Sequence, residues 1–247
     1  MIDPTMTKEQ NQVAALLDIT RRSFRDVADQ DYLAARLCFH NYLFQQYVWS
    51  AQQAVEKYLK AILLFNGIST KKLSHDLGKT FAHLQQNCQF LEIELSEDSR
   101  ELLDHLSVFG VNRYLEKPFF VHKGNSLSVL DGLVWELRKY CFRLPRDLSK
   151  QKEELQKVKE NQPMINNHIP LVRGWLEEYA INKTNTVHHE NLTKGNFYFG
   201  TSDHEKSEVM TFINPTQVIA PELFEYLNEF IHFPKIIKDS IKALNND

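Results

Sequence analysis

Apolar residues recur at intervals of three and four along most of the first 145 residues, the spacing of helices that each bury one face. The clearest stretch runs over about 42–65. There Val48, Ala51, Val55, Tyr58, Leu59 and Ile62 form one stripe, and Gln53, Glu56, Lys57 and Lys60 lie off it. Gly67 follows, a residue free to take a positive φ and end a helix. Upstream, Val13, Leu16 and Leu17 predict a short amphipathic helix over 8–19. A longer helix behind it would bury Phe24, Val27, Tyr32, Ala35 and Leu37. Downstream, Ser74 is the expected N-cap of a helix opening at His75-Asp76-Leu77, with Leu77, Phe81 and Leu84 inward. Ser96 and Ser99 are placed to start another, carrying Leu102, Leu103, Leu106 and Phe109. Residues 111–125, with Pro118 and Gly124, read as a long loop. A closing helix over 128–142 turns Leu130, Leu133, Val134, Leu137 and Cys141 inward and stops at Pro145.

The pattern then changes. Residues 149–162 are charged and nearly free of aromatics, as in a linker or an exposed helix. Beyond them, 163–247 form a second unit, after a first domain over 7–148. In it, 169–181 reads as helical and 182–196 as polar and turn-rich. Residues 197–199 and 209–213 read as two strands that could pair as a hairpin. Pro221 sits where a last helix would begin, interrupted at Pro234.

Composition supports a mainly α chain. Of 247 residues only 8 are Gly and 8 Pro, and the 43% hydrophobic content suffices for a core. No apolar run reaches the roughly 18 residues that a bilayer demands, and residues 1–12 lack the order of a secretion signal, so a cytoplasmic protein without membrane partners is expected. Cys38, Cys88 and Cys141 are widely spaced and odd in number, which fits reduced, buried thiols and no metal or other cofactor. His188-His189 and His204 fall in polar sequence and are expected to be solvent-exposed, not metal ligands. Net charge is -3, which excludes a generic polyanion binder. Locally, 117–152 carries eight Lys or Arg against three acids, either a solvated face or a phosphate-attracting surface.

Composition leaves one order of residues unexplained. Gln52-Gln53-Ala54-x-Glu56-Lys57-x-x-Lys60-Ala61, a glycine exit at Gly67 and then His75-Asp76-Leu77 resemble the HEPN family, small helical domains linked to nucleotide and RNA chemistry. The resemblance covers roughly 20–148. It implies an up-and-down bundle of four to five helices, here with a C-terminal α extension holding a small β hairpin. It also implies a homodimer, for which aromatic residues along 39–49 would supply contact surface.

Ribonucleases of that family use an Arg-x(4-6)-His motif, in which the arginine grips the scissile phosphate and the histidine acts on the 2'-hydroxyl. Arg100-Glu-Leu-Leu-Asp-His105 matches by spacing, although it falls early on its helix and Glu101 would repel phosphate. Where the family motif should end, the chain reads Asn112-Arg113-Tyr114-Leu115-Glu116-Lys117-Pro118, similar to members that lack the ribonuclease pair. On the resemblance, Arg113, Lys57, Lys60 and Lys117 are the nucleotide-binding candidates, and Arg100 and His105 the catalytic ones. Each also has a bland reading as a solvated or ion-paired side chain. Three functions follow: phosphate binding with little or no catalysis, ribonuclease action by Arg100 and His105, and a structural dimer or adaptor whose C-terminal unit holds a partner protein.

Overall fold

A computed structural model describes residues 5–109, 119–123, 125–145, 147–160, 174–181, 186–200, 208–212, 221–230 and 238–239. The chain is mainly helical. α1 (Lys8–Ile19) opens with a capping box, Thr7 accepting the Gln10 amide while Gln10 reaches back to the Thr7 amide. It passes through a π-turn over Thr20–Arg25 into α2 (Asp26–His40). The Thr20 hydroxyl donates to the Leu16 carbonyl, the kind of local competition that loosens a helical ladder. A tight corner at Tyr42, with φ of 59°, leads into α3 (Phe44–Phe65).

α3 is the axis of the bundle. It packs against α2, α4 (Leu77–Asn87), α5 (Glu97–Phe109) and α6 (Asn125–Arg138). Being enclosed by neighbours, it buries the expected stripe and also Gln52 and Glu56, the latter placed off the stripe by the pattern alone. Gly67, at φ 76°, ends it as expected. α4 is capped by Asp76, not Ser74: the Asp76 carboxylate accepts the Lys79 amide. A carboxylate at a helix N-terminus also meets the helix dipole, which a hydroxyl cannot match. Leu37, expected inside, is half exposed, because α2 buries its Tyr32–Ala35–Phe39 side.

α7 (Leu148–Glu160) follows, a charged helix of which only Val158 is fully buried. α8 (Trp175–Ile181) and α9 (Thr186–Thr193) follow. The turn-rich expectation for 182–196 therefore gives way to a helix over its centre. The expected hairpin is also corrected. Residues 197–199 form turns; the Tyr198 and Phe199 rings pack on Trp135, Phe199 also meets Tyr32, and Phe197 is exposed with its ring edge-on to Tyr198. The partner of β2 (Glu208–Phe212) is instead β1 (Phe119–Lys123), inside the segment read as a loop, antiparallel with Phe119 opposite Phe212. α10 (Pro221–Asn228) begins at its proline as expected. The three cysteines are free thiols, and burial pushes Cys141 up to about 12, which keeps it inert.

Candidate functional site

The off-stripe residues of α3 form one connected network with the loop before α4. Glu56, with 7% of its side chain exposed, is the hub. Its carboxylate accepts from Lys60 Nζ at 2.6 Å, from Gln52 Nε2 at 2.9 Å and from His75 Nδ1 at 2.9 Å. Gln52 also donates to the His75 carbonyl at 3.2 Å, so one helix turn fixes both the backbone and the ring of His75. Helical spacing explains the cluster, since residues 52, 56 and 60 repeat every four positions and share one face. Gln53 then links Gln52 to Lys57, whose ammonium reaches Asp31 of α2 at 2.6 Å.

This arrangement changes what each lysine can do. Lys57 is held by Asp31 and Lys60 by Glu56, so neither is merely solvated. The His75 ring is 71% exposed, and Glu56 holds its Nδ1 edge, which turns Nε2 toward solvent. Burial would raise the Glu56 carboxyl, but hydrogen bonds from Lys60, His75 and Gln52 outweigh it and hold the group below the usual Glu range. A depressed carboxylate stabilises the fold fully above its unfolded value of about 4.3 and loses that contribution as pH falls through the folded value. Glu56→Gln is therefore expected to cost about 1–3 kcal/mol at pH 7. The gap to wild type should shrink toward pH 3.5, and urea unfolding at the two pH values measures it.

Arg100 and His105 occupy α5, with Arg100 exposed and His105 half-buried. Five residues advance a helix by about 500°, so the two side chains leave the axis some 140° apart. Arg113 and Lys117 lie outside the described residues. Arg138, counted in the basic stretch of the sequence, is no surface charge: it is buried against Asp29 and Glu177. His188 and His189 belong to α9 and are half-buried; His188 packs on the Tyr179 ring, and His189 Nδ1 meets the Tyr179 carbonyl at 2.8 Å. His204 lies outside the described residues.

The HEPN domain family matches residues 22–116, which span α2 to α5 and the whole Glu56 network. The chain carries a HEPN domain. No curated protein and no solved structure matches it. The HEPN helices account for the bundle around α3, and α6 with residues 174–181 and 186–200 adds to the core beyond the matched segment. Among the described residues no helix is long and apolar enough to cross a membrane.

Sequence reasoning named Lys57 and Lys60 but did not join them with Gln52, Glu56 and His75 into one network around a single carboxylate. The signal was present in the 52-56-60 spacing. What the sequence does not carry is the return of His75 across 19 residues to the same carboxylate.

Proposed function

We propose that the protein binds the phosphate of a nucleotide or RNA through its HEPN domain, with little or no catalysis. The observation that supports this is the pair of donors fixed by Glu56. Lys60 and His75 share one buried carboxylate; Lys60 keeps N–H capacity at the rim, and His75 adds a second donor there, at Nε2, in its imidazolium form. A phosphate there gains charge-assisted hydrogen bonds from side chains already ordered. Arg113 and Lys117, close in sequence to the end of α5, extend the same reading as further phosphate contacts.

Titration with ATP and with a short single-stranded RNA at two salt concentrations tests it. Weak binding that falls with salt is expected. Arg113→Ala should cost about 1.5–3 kcal/mol, the range for a hydrogen bond to a charged group. Arg113→Lys should recover part of this, keeping charge but losing the planar fork. Binding by Arg113→Ala equal to wild type would make that arginine structural.

The ribonuclease reading has a separate prediction. With Arg100 and His105 diverging on α5, His105→Ala is expected to leave any RNA cleavage by the pure protein unchanged. A loss of about 100-fold or more, the scale of a lost general base, would establish the ribonuclease. A homodimer belongs to the same proposal. Phe39, Phe44 and Tyr47 are spent in the core, whereas Tyr42, Leu43 and Trp49 are exposed around the α2–α3 corner and supply an apolar surface for a second copy. Light scattering at micromolar concentration should give twice the chain mass.

A further inference from the structure

The charges around the Glu56 network cancel in pairs. Glu56 meets Lys60, Asp31 meets Lys57, and Asp76 at the start of α4 meets Lys79 at 3.1 Å. On α5, Ser107 reaches Asp76 with a neutral hydroxyl, and Asp104 is exposed. Lys71 and Lys72, in the loop before His75, are exposed to bulk water, which screens them. His83 stands two turns further along α4, where it meets Asn87. With the pairs cancelled, the charge of the network near neutral pH turns on the His75 ring.

The hydrogen bonds fix which nitrogen of that ring faces out. One Glu56 oxygen is 2.6 Å from Lys60 Nζ and 3.1 Å from His75 Nδ1, so the ammonium and the ring converge on a single atom. Glu56 is held below the usual Glu range and stays ionised, an acceptor only, which assigns the hydrogen between them to Nδ1. In the neutral ring Nε2 then turns a lone pair to solvent, and a lone pair repels a phosphate oxygen. In the imidazolium Nε2 carries an N–H, and the network gains one positive charge beside the Lys60 ammonium.

We propose that this site takes the terminal phosphate of a phosphomonoester in preference to an internal diester, and that the phosphate enters together with a proton on His75. The preference rests on the phosphate binding proposed above. A terminal phosphate is dianionic above about pH 6, whereas a diester carries a single charge. The second charge adds to the attraction for the imidazolium, by about a factor of five at 4 Å in water. A ring that holds its proton more tightly in the complex adds affinity fully below its free pKa, and that affinity is lost as pH rises through the bound value. Below about pH 6 the phosphate takes up a proton of its own, so affinity should peak near neutral pH.

Calorimetry on the full chain tests this with AMP and AMP methyl ester, the same nucleotide with one phosphate oxygen esterified. At pH 7 AMP should bind about fivefold more tightly than the ester. Its affinity should fall by about fivefold or more between pH 7 and pH 9, where the charge of the phosphate itself no longer changes. Titrations in two buffers of different ionisation heat should show proton uptake with AMP. His75→Gln, at an exposed position that leaves the fold intact, should lose both the proton uptake and the fall with pH. Equal affinity for the two ligands, an AMP preference without proton uptake, or the same fall with pH in His75→Gln would overturn the proposal and leave phosphate binding standing. No binding of either ligand at millimolar concentration would overturn phosphate binding and this preference with it.

Discussion

Arg138→Ala is expected to lower the unfolding free energy by about 3–5 kcal/mol, the scale for breaking a buried ion pair from one side. The guanidinium is almost wholly buried and held from two directions. Asp29 of α2 takes it from Nε at 2.8 Å and Nη2 at 2.9 Å, and Glu177 of α8 takes both terminal nitrogens. Burial opposes the arginine's charge, yet Asp29 and Glu177 more than offset this and push its pKa up. Truncation leaves two buried carboxylates without the guanidinium that joins them, while the Tyr58 hydroxyl, 2.7 Å from Asp29, stays with one of them. Gly174 shows how closely the segment is drawn in, since a Cβ there would lie 2.9 Å from the arginine. Urea unfolding followed by circular dichroism measures the loss. A change below about 1 kcal/mol, typical of an exposed pair, would show that the cluster is solvated.

Ending the chain after Glu160 should have a larger effect still: loss of a single cooperative unfolding transition. Residues 174–181 and 186–200 are each docked by the same device. Arg36 of α2, with no exposed side-chain surface, pairs with Asp131 of α6 and donates to the Asn191 and Lys194 carbonyls at 2.7 and 2.5 Å. Asn196 donates to the Tyr32 hydroxyl at 2.9 Å, which itself donates to Asp131 at 2.5 Å. Removing the segment strips acceptors from both arginines. It also removes Leu176, Leu192 and Phe199 from the core, each worth about 1.5–3 kcal/mol of burial. Against a total stability of about 5–15 kcal/mol, those losses leave little margin. Calorimetry of the truncated chain should show a broad or absent transition. A sharp one near the full-length midpoint would mean that the bundle stands without this segment.

The helices were legible in the sequence wherever a 3.6-residue period coincided with a clear stop, as at Gly67 and Pro221. What the sequence hid depends on distant pairing. Arg36 meets Asp131 across 95 residues, and Arg138 meets Asp29 across 109. A charged residue in a helix reads as solvated until its partner is known, so Arg138 entered the basic stretch although it is internal. Phe197-Tyr198-Phe199 shows the same limit in another form. Three consecutive aromatics favour a strand by propensity, but Trp135 and Tyr32 offered Tyr198 and Phe199 a packed site, and packing overrode propensity. The candidate site was half legible. Its lysines stood out in the family-like string, while the carboxylate that organises them looked like one more polar residue of an exposed face.

The central claim is phosphate binding at the Glu56 network, and the imidazole of His75 reports on it most directly. Its ¹H–¹⁵N signals should be followed while ATP, and then a short single-stranded RNA, is titrated into the full chain at low salt. A saturable shift at Nε2 is predicted, weakened by added salt and in Lys60→Ala. Binding that leaves the His75 signals unmoved, or no binding at millimolar ligand, would contradict the account.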